Sequence, residues 1–235
     1  MNKILSALSA LWLLTLVGCG GGGGGTPVPD GNPNGIYSGT FTENGTTYNL
    51  AVLVQNGNFI GGSIDAGTLF TGNANVSGKS LSGSLDVLQI GGGYLYTSTL
   101  SATFVEGQSI SGTATGGGST AIFNVSLEPI YTRPANTNLA GTYTVTDGGF
   151  TFIITSDNAG SFTATDSDGC SYSGTQAAYE ANHNLYRLNV TVTGCASNGT
   201  YSGYSFNDDI SAANDALVFI IDDPAFIAIF IAGRV

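Results

Sequence analysis

Apolar and polar residues alternate with a period of two along most of the chain after residue 35. In the clearest runs the apolar residues fall on one face of a strand: Tyr48, Leu50, Val52 and Val54; Leu81, Gly83, Leu85 and Val87; Phe150, Phe152 and Ile154; Tyr186, Leu188, Val190 and Val192. Such alternation predicts antiparallel strands with one buried face. Helices are not expected outside the N-terminal segment, because Gly and β-branched residues interrupt every helical period.

Turn-forming residues divide the chain into short strands of even spacing. Two segments of nearly equal length, 36–131 and 139–235, each contain seven candidate turns and therefore eight strands. Asn44-Gly45 and Asn56-Gly57 are examples in the first segment, and Asp157 to Gly160 is an example in the second. The mean spacing of about 12 residues per strand and turn is typical of sandwiches and barrels.

These patterns predict an all-β protein with two tandem antiparallel up-and-down β-barrels of about eight strands each. The predicted barrels span 36–131 and 139–235, and residues 132–138, which contain Pro134, form the linker. The similar openings GIYSGTF and AGTYTVT indicate an internal repeat. A sandwich or a β-solenoid remains an alternative, because Gly-Ser-Thr repeats such as SGKSLSGSL suit each architecture.

The last two predicted strands differ from the others because both of their faces are apolar. Val218 and Ile220 alternate with Phe219 and Ile221, and residues 226–232 continue the pattern. A barrel has only one dry face, so the outer face of this hairpin is expected to contact the first barrel, a second copy or lipid. Packing between the two barrels is the interpretation that we favour.

The N-terminus has the features of an export signal. Lys3 precedes an apolar run from Ile4 to Val17 that is too short to span a bilayer comfortably. The sequence LVGC that ends at Cys19 then resembles the lipobox of bacterial lipoproteins. This resemblance implies that residues 1–18 are removed and that Cys19 carries lipid, including palmitate, on its thiol and amine. A plain secretory signal is the alternative.

Residues 19–35 are predicted to be the lipidated Cys and a flexible tether. Gly20 to Gly25 form an unbroken glycine run, and three prolines stiffen the part that follows. In the lipoprotein family, Gly20 in place of Asp implies sorting to the outer membrane of a Gram-negative cell, whereas a Gram-positive cell would use its single membrane. We therefore expect an outer-membrane, lipid-anchored protein on the periplasmic or surface face.

The charge balance restricts the possible partners. Lys plus Arg is 5 and Asp plus Glu is 16, so the formal net charge is −11. Nucleic acid is excluded as a partner, because no basic patch is available to neutralise phosphates. An acidic surface is also repelled by anionic head groups, so the lipid and not the protein surface is expected to hold the chain at the membrane.

Part of the second segment resembles the avidin-like and lipocalin-like small barrels. The runs GTYT from Gly141, FIIT from Phe152 and GSFTAT from Gly160 are similar to the opening strands of a streptavidin-type meander. The resemblance implies a barrel shape. It does not imply biotin binding, because those families hold ligands with tryptophans and the only Trp here is Trp12, inside the signal.

Cys170 and Cys195 remain once Cys19 is assigned to lipid. Export places them in an oxidising compartment, which predicts a disulfide. If their strands form a hairpin centred between Asn182 and His183, the two Cys face each other across its base. A metal site made by these two Cys and His183 is disfavoured, because further ligands are missing.

No catalytic set is recognisable, so we predict no enzyme activity, no catalytic residues, no metal and no cofactor. His183, the only histidine, lies in a polar loop without a nucleophile motif and is expected to be exposed. Asp166 and Asp168 are similar to the start of a calcium loop that lacks its later Glu. Neighbouring carboxylates such as Asp208 and Asp209 point to opposite faces of a strand and do not converge.

The function favoured by the sequence is that of a membrane-anchored envelope lipoprotein acting as a non-catalytic binding or structural module. Its partners are the membrane, through the lipid anchor, and an envelope protein. The alternative is a carrier that holds a small apolar ligand in a lipocalin-like barrel. A membrane-spanning barrel is disfavoured, because most strand runs are shorter than the roughly 9–11 residues that spanning requires.

Overall fold

The computed structural model describes residues 30–147, 149–196, 198–209, 212, 214–223 and 226–235. Sixteen strands in this part of the chain form two closed barrels of eight antiparallel strands each. The predicted pair of up-and-down barrels is confirmed. The sandwich and the solenoid are wrong, because each strand pairs with its neighbours in sequence and the last strand of each barrel pairs with the first.

The first barrel is a meander that begins at Gly35. Its strands are β1 (Gly35–Glu43), β2 (Thr46–Gln55), β3 (Asn58–Ser63), β4 (Thr68–Ser77), β5 (Ser80–Gln89), β6 (Tyr94–Val105), β7 (Ser109–Gly116) and β8 (Ser119–Leu127). Closure is made by β1 and β8, which pair from Tyr37 opposite Leu127 to Thr42 opposite Ile122.

A short 3₁₀ helix, Pro129–Thr132, leads from the first barrel toward the second. The second barrel consists of β9 (Gly141–Asp147), β10 (Phe150–Ser156), β11 (Ser161–Asp166), β12 (Ser171–Ala178), β13 (Tyr186–Thr193), β14 (Gly199–Asp208), β15 (Ala216–Asp223) and β16 (Phe226–Arg234). Its closure is shorter, because β16 pairs with β9 only at Gly233 and Arg234.

Asn-Gly pairs form two of the four two-residue hairpins of the first barrel. Asn44 and Gly45 have φ values of 51° and 80°, and Asn56 and Gly57 have φ values of 52° and 80°. A two-residue turn with positive φ at both positions matches the right-handed twist of its strands, and Asn and Gly tolerate that backbone best. These turns therefore fix the registers of the β1–β2 and β2–β3 hairpins.

The outer face of the last hairpin packs against the first barrel. Val218 and Ile220 of β15 join Phe206 of β14 in one buried apolar cluster, which also contains residues from β1, β2 and β3: Ile36, Leu53 and Ile60. Tyr131 of the 3₁₀ helix and Leu185 complete this cluster, which we call the inter-barrel core. The interpretation favoured from the sequence thus agrees with the structure.

Candidate functional site

The first barrel encloses a cavity of about 180 Å³ that opens at one end. Its wall is mainly apolar and includes Leu50, Val52, Leu85 and Leu100. The open end lies where β1, β3, β5 and β7 finish, because the cavity is lined there by Glu43, Ser63, Val87 and Gly116. We call this end the mouth.

Small inward residues create the empty space near the mouth. Ala114 of β7 pairs directly with Ala121 of β8, and both line the cavity. Gly116 follows Ala114 on the same face of β7, and Ser98 of β6 also faces the cavity. Four small residues on three neighbouring strands therefore leave one side of the barrel interior unfilled.

The second barrel has the same number of strands but is filled. Its interior leaves a cavity of only about 10 Å³ between aromatic and aliphatic side chains. Phe152 lies 5.1 Å from Phe230 and 5.0 Å from Tyr172 between ring centroids, and Phe162 lies 5.3 Å from Phe219. Large rings thus occupy the volume that small residues leave open in the first barrel.

The end of the first barrel opposite the mouth is closed. Tyr37, Phe59 and Phe104 are buried in its core. The Tyr37 hydroxyl donates a hydrogen bond to the carbonyl oxygen of Pro33 at 2.8 Å, and burial raises the pKa of Tyr37 to about 12. The segment before β1 is fixed across this end, because the amide of Gly78 donates to Oδ1 of Asp30 at 2.7 Å.

The mouth combines a carboxylate with aromatic rings. Glu43 lines the cavity, and the Ser119 hydroxyl donates a hydrogen bond to its Oε1. Phe41, two residues before Glu43 on the same face of β1, stacks on Tyr48 with ring centroids 5.1 Å apart. Burial and then the nearby charge of Glu43 raise the pKa of Tyr96.

Negative charge dominates the surroundings of the mouth. Asp65 in the β3–β4 loop and Asp86 near the end of β5 are exposed and join Glu43 at this end of the barrel. Among the described residues up to the 3₁₀ helix, the only Lys or Arg is Lys79, which lies in the β4–β5 turn at the closed end. The mouth is therefore an acidic opening onto an apolar interior.

The loops beside the mouth also expose apolar side chains. Ile64, in the β3–β4 loop, is 84% exposed. Ile90 and Tyr94 flank the β5–β6 loop, and Leu95 follows Tyr94 at the start of β6; all three are exposed. The mouth is therefore bordered by exposed apolar side chains as well as by carboxylates.

A buried polar network closes the second barrel beside the inter-barrel core. The side-chain amide of Asn184 donates to the carbonyl oxygen of Asn207 at 2.7 Å, and the Asn207 amide donates to Oδ1 of Asn184 at 3.1 Å. The Tyr186 hydroxyl lies 3.2 Å from Oδ1 of Asn207, and burial raises the pKa of Tyr186 to about 12. These bonds connect the loop before β13 to the end of β14, which indicates a structural role, although Nδ2 of Asn207 is buried without a hydrogen-bond partner among the described residues.

The predicted site residues fall in different places. Cys19, the lipobox and the signal lie outside the described residues. Cys170 and Cys195 are joined by a disulfide with Cα atoms 5.2 Å apart, at the end of the β12–β13 hairpin.

The predicted register of this hairpin is wrong by one residue. Ser171 pairs with Thr193, so Gly194 would be the partner of Cys170. Gly194 has φ of 79° and turns the chain so that Cys195 reaches Cys170.

His183 and the aspartates make structural contacts. The His183 ring stacks on Tyr131 at 4.5 Å and its Nδ1 lies 2.9 Å from Oε2 of Glu180, so this residue is partly buried rather than exposed. Asp166 accepts hydrogen bonds from the amides of Asp168 and Cys170, which shapes the β11–β12 turn. The described residues contain no group of three His, Cys, Asp or Glu able to hold a metal ion.

Sequence reasoning did not single out Glu43, Tyr96 or the small residues of β7 and β8. One signal was present in the sequence. Alternate residues of a strand share a face, so Glu43 lies on the same face as Tyr37, Gly39 and Phe41, and this places a carboxylate on the inward face. The convergence of Glu43 with Tyr96 depends on the barrel registers, which a single sequence does not provide.

The comparisons with known proteins give no family for this chain. No family model matches it, and no curated protein matches it. Among solved structures, it is similar to the isotype 1 transferrin binding protein B (TbpB) from serogroup B Neisseria meningitidis, with a TM-score of 0.31 and 10% identity. The match covers 81% of this chain and 59% of that one, so this chain spans less than two thirds of that protein.

Among the described residues, no helix has the length and apolar character needed to cross a membrane.

Proposed function

We propose that this chain is a membrane-anchored envelope lipoprotein whose first barrel is a non-catalytic binding module for a small, mainly apolar molecule. One observation carries the binding role: two barrels of equal strand number differ in filling, with a cavity of about 180 Å³ in the first and about 10 Å³ in the second. The second barrel supports the first through the inter-barrel core.

The size and lining of the cavity fit a small ligand. Engineered apolar cavities of about 150 Å³ bind benzene, so a cavity of this size accepts one ring or a short alkyl chain. Eight-stranded barrels are just wide enough either to be filled by side chains or to hold one small ligand. The two barrels of this chain represent these two outcomes.

A cavity-filling substitution tests the binding role. We expect n-butylbenzene to bind the full chain at one site, measured by isothermal titration calorimetry. Ala121→Leu should weaken binding by at least about tenfold, because each CH₂ group displaced from the cavity is worth about 0.8 kcal/mol. Thr120→Leu is the matched control, because Thr120 is exposed on the outer face of the same strand.

Two outcomes would contradict the binding role. The first is the absence of n-butylbenzene binding to a protein whose circular dichroism shows folded β structure. The second is binding that Ala121→Leu and Ala114→Leu leave as strong as Thr120→Leu does. Ala114→Leu is included because it fills the same space from β7 and guards against a folding defect specific to Ala121.

The anchoring role rests on the lipobox-like sequence before Cys19. Residues 1–18 act as the signal, and residues 19–35 carry the lipid and separate the first barrel from an outer membrane. Cells expressing the chain should incorporate labelled palmitate into it, and Cys19→Ser should abolish labelling and membrane sedimentation. The Cys170→Ser/Cys195→Ser variant is the control and should keep the label; labelling that survives Cys19→Ser would overturn this assignment.

A further inference from the structure

We propose that the first-barrel cavity is selective for a cationic amphiphile, a molecule with a small apolar body and an amine or ammonium head held against Glu43. This inference depends on the proposed binding function and names the class of ligand. It follows from the position of one carboxylate, the rings beside it and the distribution of charge around the mouth.

Glu43 has the position of a counter-ion for a bound ligand. It is partly buried, lines the cavity and is the last residue of β1, so it lies between the apolar interior and solvent. The Ser119 hydroxyl holds its Oε1, whereas its Oε2 accepts no hydrogen bond from the described residues. A carboxylate oriented in this way can accept a charge-assisted hydrogen bond from a donor that enters the mouth.

Aromatic rings below Glu43 complete a cation-binding environment. Phe41 pairs across the sheet with Tyr48 on one side and with Phe123 on the other, and all three line the cavity. Tyr96 lines it as well and is close enough to Glu43 to be influenced by its charge. The faces of aromatic rings attract ammonium groups, and cages of such rings bind quaternary amines.

The surrounding charges disfavour the opposite class of ligand. A fatty acid carboxylate in the mouth would face Glu43; Asp65 and Asp86 do not line the cavity, but they lie toward the same end of the barrel and add negative charge there. Lys79 cannot compensate, because it lies in the turn at the closed end of the barrel. A mouth lined by one sign of charge concentrates ligands of the opposite sign and repels those of the same sign.

Three ligands that share an apolar body test this selectivity: 4-phenylbutylamine, 4-phenylbutanol and 4-phenylbutyrate. Their affinities for the full chain are measured at pH 7 by isothermal titration calorimetry. We expect the amine to bind about tenfold more tightly than the alcohol, because a hydrogen bond between two charged groups is stronger than one that involves a neutral hydroxyl. The carboxylate should bind more weakly than the alcohol.

Two variants locate the origin of the preference. Glu43→Gln should reduce the amine-to-alcohol ratio to near one, because the amide keeps the shape of the side chain but carries no charge. Asp86→Asn removes an exposed charge near the mouth whose carboxylate accepts a hydrogen bond from Thr97, and it should keep most of the ratio.

The outcomes separate this inference from the proposed function. If the wild-type chain binds all three ligands equally well, the cationic selectivity is overturned and the binding function stands. If Asp86→Asn and Glu43→Gln reduce the ratio equally, the assignment to Glu43 is overturned. If none of the three ligands nor n-butylbenzene binds, the proposed function itself fails.

Discussion

At the scale of single residues, inward glycines allow neighbouring strands of the first barrel to curve closely around its interior. Gly72 of β4 and Gly83 of β5 face the barrel interior. A Cβ atom at Gly72 would overlap the carbonyl oxygen of Ser84, and one at Gly83 would overlap the carbonyl oxygen of Asn73. Only glycine therefore fits at these two positions unless the backbone shifts.

Gly72→Ala should lower the free energy of unfolding by about 1–3 kcal/mol, the usual cost of overpacking. The measurement is urea denaturation followed by circular dichroism. Gly93→Ala is the matched control, because a Cβ atom there meets nothing within 4 Å. Equal stability of the two variants would contradict the described β4–β5 packing.

Buried tyrosines make the molecule sensitive to alkali. Burial raises the pKa values of Tyr37, Tyr131 and Tyr186 to about 12, from 10.0. Because the neutral phenol is favoured in the folded state, their contribution to stability is complete below pH 10 and is lost as the pH rises toward 12. The urea midpoint should therefore decrease between pH 10 and pH 12.

Tyr131→Phe should make that decrease shallower, because it removes one of the tyrosines whose pKa burial raises. Tyr94→Phe is the control, since Tyr94 is exposed. Absorbance at 295 nm, recorded with circular dichroism, follows phenolate formation. A urea midpoint that is constant from pH 10 to pH 12 would show that these phenols ionise normally in the folded state.

At the scale of elements, the turns were more predictable than the registers. Asn44-Gly45 and Asn56-Gly57 have the two-residue form that local backbone preference dictates, so they were identified from sequence. Strands β12 and β13 are joined by a longer loop, residues 179–185, and the backbone preferences of single residues do not determine the geometry of such a loop. The predicted disulfide was found there, but its flanking strands pair one residue away from the expected register.

The disulfide should stabilise the second barrel without affecting ligand binding. Cys170 and Cys195 are 25 residues apart in sequence, and a loop of this size corresponds to about 3 kcal/mol in the chain-entropy account. The Cys170→Ser/Cys195→Ser variant should lose about that amount in urea denaturation. Its affinity for n-butylbenzene should be unchanged, because the bridge lies at the hairpin end away from Tyr179 and Leu185 of the inter-barrel core. A large loss of affinity would contradict the placement of the ligand in the first barrel.

At the scale of the whole molecule, the inter-barrel core should make the two barrels unfold together. Val218 is buried in this core but lies outside the interior of its own barrel. Val218→Asp should separate the barrels, because a charge buried in an apolar contact is costly. Calorimetry should then show two transitions in place of one, with a larger radius of gyration by small-angle scattering.

Ile153→Asp is the control for this separation, because Ile153 is exposed on the second barrel. It should keep a single transition and the original radius of gyration. If Val218→Asp behaves in the same way as Ile153→Asp, the barrels are not coupled through this contact.

The number of barrels could be predicted from sequence, whereas the difference between their interiors could not. Alternation and turn spacing are local features and are enough to define eight strands in each segment. A cavity depends on which inward side chains meet at one level, such as Ala114 beside Ala121, and cross-strand register determines that meeting. The Phe-rich second segment and the Ala- and Gly-rich β7–β8 hairpin differ in composition, but composition does not give volume.

Methyl NMR of the chain during a benzene titration tests the unequal filling of the two barrels most directly. We expect saturable shifts at Leu85, Val87 and Leu100, which line the first cavity, and none at Leu188 and Val190 in the second barrel. Saturable shifts in both barrels, in the second alone or in neither would contradict this unequal filling.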